Sequence, residues 1–194
     1  MLTLFSWIAL FAALISSAGV LLHRDWRWGI GFLAVQYLVI FWFVQTRWPV
    51  TMAASKLVTG WMACAILGVA KLTADSAHET EAFWPHSRLF RLFIAGIVIS
   101  STFPLSLRAS SWLGLNLPVT WGSLLICGMG LLQLGISTQP LRVILGLLTV
   151  ISGFEILYAV VESSILVAAL LSVINLGLAL SGAYFLYRNE EETT

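Results

Sequence analysis

The sequence predicts an all-α polytopic membrane protein with about seven transmembrane helices. Hydrophobic residues make up 59% of the 194 residues, charged residues only 10%, and the mean hydropathy is +0.95. Soluble domains usually carry about 25% charged residues. Here the apolar residues also extend along nearly the whole chain. This composition is typical of a protein that crosses the membrane many times.

Seven apolar stretches define the expected helices. Short segments such as "HRDWR", "TRWP" and "STQP" separate them, with the charges, prolines and small polar residues of loops. Backbone polar groups within lipid must bond internally, so each stretch is expected to be helical. The stretches are about Leu2–Leu22, Trp28–Val44, Val50–Ala70, Leu89–Leu107, Pro118–Ile136, Pro140–Val161 and Ile165–Tyr187.

One long polar segment, "KLTADSAHETEAFWPHSR", divides the chain. Its acids and histidines show no spacing typical of metal ligands, so a solvated loop or surface helix is favoured over a metal site. The expected organisation is a three-helix membrane segment over 1–72, a cytoplasmic loop over 73–88, a fourth helix over 89–108, a three-helix segment over 117–188 and a polar tail over 189–194.

Lysine and arginine are distributed unevenly between the two sides that seven helices define. One side carries Arg24, Arg27, Lys71, Arg88, Arg91, Arg142 and Arg188. The other side carries only Arg47 and Arg108. Cytoplasmic loops are enriched in basic residues, so the N-terminus is expected outside and the C-terminus in the cytoplasm.

Two opposite charges, Lys56 and Glu155, fall inside predicted helices. Each lies six residues from the predicted outer end of its helix, or roughly 9 Å deep at the helical rise. This common depth predicts that the two side chains face each other or share a hydrated pocket. Three other interpretations stay open: Lys56 extends to the interface, Glu155 is protonated and structural, or Glu155 belongs to a proton or ion path.

Further polar residues accompany this pair. Glu162 follows Glu155 by two helical turns and is expected to be solvated at the membrane rim. Asn175 lies near the middle of the seventh helix and Gln36 within the second. Amides inside a bilayer usually bond across helices. Small residues in the sixth and seventh helices, Gly153 and Gly182 among them, predict close packing of these two helices.

The stretch "LLQLGISTQPLRVILGLLTVISGFEILYAVVESSILVAALLSVINLGLALSGAYFLYR" resembles the three-helix K subunit of complex I. It is similar also to the C subunit of multisubunit sodium/proton antiporters and the E component of energy-converting hydrogenases of the formate hydrogenlyase type. The E component is similar in length, has about seven helices and carries a lysine in a context like "MAASKLVTG". The shared features are a basic cytoplasmic turn, a buried carboxylate and a last helix with a polar residue at mid-membrane.

The resemblance implies roles for individual residues. In one register the "GFE" of this chain matches "G-L-E" of the K subunit, and Glu155 carries the family carboxylate. Counting from Arg142 instead places that carboxylate near Leu148 to Ile151. The second family acid falls at or near Asn175, which cannot ionise, so the relay would be partly degenerate.

The function expected from this resemblance is that of a non-redox membrane subunit that supports or lines a proton or ion path. Glu155 would titrate, Lys56 would modulate it, and Asn175 and Gln36 would bind water. Glu162 is the remaining candidate residue of this path. Expected partners are antiporter-like membrane subunits and the lipid bilayer of a prokaryotic-type cell membrane, with no redox cofactor and no nucleic acid. With respect to enzyme activity, the protein is expected to be at most a non-catalytic subunit of an ion-translocating oxidoreductase complex. A stand-alone small transporter and a purely structural subunit are the alternatives.

Overall fold

The computed structural model describes residues 2–23, 25–73, 88–114, 116–161 and 164–191. Within these residues the chain forms α-helices joined by short turns and has no strand. The helices are α1 Leu2–Leu22, α2 Trp26–Val44, α3 Val50–Thr73, α4 Arg88–Leu113, α5 Leu117–Ile136, α6 Pro140–Val161 and α7 Ile165–Glu191.

All seven helices are long and apolar enough to cross a membrane. The predicted all-helical, multi-pass architecture is thereby confirmed in outline. Which end of the bundle faces the cytoplasm stays a prediction from the basic residues.

Three helices extend further at their C-terminal ends than their apolar stretches indicated. The fourth helix continues past residue 108 to Leu113, α3 reaches Thr73, and α7 extends into the predicted polar tail. In α4, Ser110 and Ser111 donate to carbonyls three residues earlier, at 2.9 and 2.7 Å. Such bonds satisfy polar side chains within a helix, so the polar run did not mark its end. Most of the predicted loop, including its acids and histidines, lies outside the described residues.

The helices pack as two rows of three. Helices α1, α2 and α3 form one row, and α5, α6 and α7 form the other. Across the rows α1 packs on α5, α2 on α6 and α3 on α7. Helix α4 lies outside the two rows, against α5 and α1. The core therefore lies between the rows, where α2 and α6 each have neighbours on several sides.

Glycines bring α5 and α6 into backbone contact. A methyl group at Gly153 would lie 2.6 Å from Cys127 Sγ and 2.7 Å from the Cys127 amide nitrogen. Gly130 and Gly146 repeat this close approach two helical turns away. The predicted role of the α6 glycines in packing on α7 was therefore wrong, because these glycines face α5. Gly182 of α7 does pack closely, against Ile144 of α6 and Leu67 of α3.

Two arginines hold the C-terminal end of α1. Arg91 donates to the Leu21 carbonyl and Arg142 to the His23 carbonyl, each at 3.2 Å. Helix α1 has no basic residue in its own last turn. Its final carbonyls, which lack partners within the helix, are bonded by side chains from α4 and α6 instead.

Candidate functional site

An ion pair is enclosed in the middle of the bundle. Lys56 Nζ lies 2.9 Å from Glu155 Oε1, and each residue is only 2% exposed. The contact predicted from the matching depths of these residues is thus present. Lys56 does not extend to the interface, because its ammonium group is buried against α6.

Asn175 is the third member of this group. Its Nδ2 donates to the same oxygen, Glu155 Oε1, at 2.9 Å. A single carboxylate oxygen therefore joins α3, α6 and α7. Hydrogen bonds that involve a charged partner are about twice as strong as neutral ones, so these two bonds stabilise Glu155 within the apolar interior.

A glycine near Lys56 allows α2 to pack closely against α3. Gly60 lies one turn after Lys56, and the ring of Tyr37 from α2 packs directly against its backbone. A side chain at position 60 would overlap this ring. The glycine thus allows α2 to approach α3 and brings Tyr37 into the group around Glu155.

Tyr37 and Ser152 belong to the same group, although the sequence analysis did not select them for it. The Tyr37 hydroxyl lies near Glu155 and beside the hydroxyl of Ser152, one turn before Glu155 on α6, but the two hydroxyls do not meet in hydrogen-bond geometry. Both hydroxyls are buried, and neither forms a hydrogen bond of acceptable geometry with another described residue. The sequence offered one indication of these residues, a tyrosine next to a glutamine in an apolar helix. It did not indicate which neighbouring helix the side chains face.

Gln36 is fully buried on α2, at 0% exposure. Gly29 of α2 contacts Leu145 of α6. Seven residues further along both helices, which run in the same direction, Gln36 comes to the level of Ser152. The amide forms no hydrogen bond with the described residues. Gln36 is therefore buried at the level of Ser152, on the side of α2 that is turned toward α6.

We call these six residues of α2, α3, α6 and α7 the polar cluster: Gln36, Tyr37, Lys56, Ser152, Glu155 and Asn175. The cluster holds six buried polar atoms that have no hydrogen-bond partner in the described part of the chain. They are Gln36 Nε2 and Oε1, Tyr37 Oη, Ser152 Oγ, Glu155 Oε2 and Asn175 Oδ1. Buried polar atoms in native proteins are nearly all bonded, to protein or to ordered water, so this concentration requires an explanation.

Glu162, the remaining candidate residue of the sequence analysis, lies outside the described residues. In the described ranges, no three or more histidine, cysteine, aspartate or glutamate side chains are grouped to hold a metal ion. Cys64 and Cys127 are free thiols within α3 and α5.

Fold and cluster together define a class: an all-helical, multi-pass membrane protein with an ion pair enclosed in its bundle. Comparison with known protein families, curated proteins and solved structures finds no match to the chain. The geometry and chemistry of the polar cluster are thus the basis for assigning a function.

Proposed function

We propose that this protein is a non-redox membrane subunit of an ion-translocating assembly, in which the polar cluster supports or lines a proton or ion path. The assembly is of the complex I-like, energy-converting hydrogenase or multisubunit cation/proton antiporter kind. The observation that carries the proposal is the buried Lys56–Glu155 pair with Asn175 on the same oxygen.

An ion pair of this kind contributes little to stability as such. Removing two charges from water costs several kcal/mol per ion, and apolar residues of similar volume are often equally or more stabilising. Ionisable residues within membrane spans typically occur in ion pathways and proton relays. A chain with only 10% charged residues that encloses two of them in its core is therefore better explained by transport than by folding.

The three bonded groups have distinct parts in this proposal. Glu155 exchanges the proton, because its Oε2 has no partner among the described residues and is free to accept one. Lys56 supplies the compensating charge at 2.9 Å. Asn175 orients the carboxylate but cannot ionise, so the onward step belongs to water or to a neighbouring subunit.

A purely structural subunit is the second candidate. It is favoured by the way Glu155 Oε1 ties α3, α6 and α7 together with two 2.9 Å bonds. In this case Glu155 would act as a clamp between helices and never change its protonation.

Purification of the tagged protein in mild detergent, with mass spectrometry of everything that accompanies it, tests the assembly. Antiporter-like membrane subunits with a quinone or hydrogenase module support the proposal. A homogeneous protein without such partners contradicts it and favours a stand-alone transporter.

Proton pumping by the purified assembly then separates the two candidates. Glu155→Gln keeps the shape of the side chain but cannot titrate, and it is expected to abolish or strongly reduce pumping. Gln133→Leu is the matched control, because Gln133 is similarly buried but bonds the Arg142 carbonyl, outside the cluster. Normal pumping by an intact Glu155→Gln assembly would establish the structural role.

A further inference from the structure

Four of the six cluster atoms without a partner among the described residues, those of Gln36, Tyr37 and Ser152, lie toward one end of the bundle. Gly182 contacts both Ile144 and Leu67, whereas Glu155 contacts Asn175 and Lys56. Helices α3 and α7 therefore run in one direction and α6 in the other.

Helix α2 runs with α6, since Gly29 meets Leu145 while Tyr37 lies beside Ser152. Ser152 precedes Glu155 on α6, and Tyr37 packs on Gly60, one turn beyond Lys56 on α3. Both side chains thus lie on the side of the ion pair that faces the N-termini of α2 and α6. We call this the N-end of the bundle.

On the opposite side of the pair the buried side chains of the described residues in α2, α3, α6 and α7 are apolar. The next buried side chains in that direction come from all four helices of the cluster. They are Ile40 of α2, Ala53 of α3, Ile156 and Ala159 of α6, and Leu171 of α7. These side chains provide no hydrogen-bonding group to a water molecule, so none of them would hold water between the pair and the far end of the bundle.

Toward the N-end the polar character continues for another turn. Thr149 is buried on α6 one turn before Ser152 and donates to the Leu145 carbonyl at 2.8 Å. Its hydroxyl oxygen still has lone pairs that can accept. Leu145 and Leu148 fill the remaining distance to the end of the helix, so passage there requires these side chains to move.

We infer that the polar cluster binds water, and that this water reaches Glu155 from the N-end only. Gln36, Tyr37 and Ser152 supply donors and acceptors, and Glu155 Oε2 accepts a hydrogen bond from the water. A buried water usually needs two to four polar partners, which this group provides. A role of this water in proton exchange rests on the proposed function, but its presence in the cluster does not. The distribution of basic residues predicts that the N-end is the cytoplasmic end.

Cysteine accessibility in sealed vesicles of known orientation tests this inference. In a background with Cys64→Ala and Cys127→Ala, Ser152→Cys is compared with Ala159→Cys. Both positions are buried in α6, three residues before and four after Glu155. Silver ions, which are small enough to follow water, are added from either side, and unreacted thiols are then alkylated in denaturant and counted by mass spectrometry.

Silver added at the N-end is expected to block alkylation at Ser152→Cys and to leave Ala159→Cys unprotected. Silver from the far side should protect neither. Gln36→Cys repeats the test on α2 if Ser152→Cys does not fold. Lack of protection at both Ser152→Cys and Gln36→Cys would show a dry cluster, and protection from both sides or at Ala159→Cys would show that water also enters from the far end. Each of these results overturns the inference. The assay needs no partner subunit, so its failure is distinct from failure of the proposed assembly.

Discussion

The two faces of helix α6 hold the bundle together by different means. The face toward α5 carries Gly146 and Gly153, and backbone meets backbone across it. The face toward α2, α3 and α7 carries Ser152 and Glu155, where polar side chains meet around one carboxylate. Ser152 and Gly153 are adjacent in sequence, yet they belong to the two different faces.

This difference separates packing from chemistry. Close packing between small residues is a main source of helix association in membranes, where lipid is as apolar as the side chains. The α5 face satisfies this requirement with few polar groups. The other face contains an ion pair and six unpartnered polar atoms, an arrangement that a bundle selected for stability alone would not need.

The largest expected effect follows from removing the positive charge of the polar face. Lys56→Met leaves Glu155 buried without its counter-charge, and breaking a buried pair in this way costs about 3–5 kcal/mol. The free energy of unfolding, measured by SDS titration in mixed micelles, is the readout. Arg47→Met is the control, since Arg47 is exposed between α2 and α3.

The double variant Lys56→Met, Glu155→Leu sharpens this test. Because it removes both charges together, it is expected to recover most of the lost stability. A double variant as unstable as Lys56→Met would mean that packing, and not the unpaired charge, caused the loss.

On the α5 face the corresponding change is Gly153→Ala. The added methyl group would lie 2.6–2.7 Å from the sulfur and backbone nitrogen of Cys127, so the two helices must separate. Overpacking of this kind costs about 1–3 kcal/mol. Gly177→Ala on α7 meets nothing within 4 Å and is expected to gain up to about 1 kcal/mol from helix propensity. Equal effects of the two substitutions on unfolding would contradict backbone contact between α5 and α6.

A smaller loss is expected when Asn175 is replaced by leucine. The variant loses one hydrogen bond to Glu155, while Lys56 remains bonded to the same oxygen. Side-chain hydrogen bonds between membrane helices contribute about 0.6 kcal/mol on average and at most about 1.7. Combination with Glu155→Gln in a double-mutant cycle should give a coupling energy, whereas Gln133→Leu combined with Glu155→Gln should be additive. Additivity in the first cycle would remove Asn175 from the cluster.

Depth in the membrane was predictable from the sequence, because it follows from the number of residues to the end of each helix. The equal depth of Lys56 and Glu155 predicted that they lie close together, and their 2.9 Å contact agrees with this prediction. The number of helices followed in the same way from the lengths of the apolar stretches. Asn175 was expected near mid-membrane, bonded across helices or to water, and only the structure identified Glu155 as its partner.

The neighbouring helix that each side chain faces was not predictable, because it depends on how the helices are arranged in the bundle. The α6 glycines were expected to contact α7, but the two-row packing turns them toward α5. Tyr37 joined the cluster only because Gly60 admits its ring. The end of α4 was missed for a local reason, since serines bonded to the preceding turn continue a helix while appearing loop-like in composition.

The smallest effect on stability is expected at Ser152, which directly precedes Gly153 in the sequence. Ser152→Ala removes a hydroxyl that has no hydrogen-bond partner among the described residues, so no direct bond is lost. A water held there keeps Gln36, Tyr37 and Glu155 as partners, and the free energy of unfolding should fall by less than about 0.5 kcal/mol. Ser123→Ala, equally buried but bonded to the Thr120 carbonyl at 2.8 Å, should lose more, about 0.5–1.5 kcal/mol. If Ser152→Ala instead costs as much as Gly153→Ala, the hydroxyl holds a direct bond to the protein. The polar face of α6 would then be a packed interface like the other, with no place for water beside Glu155.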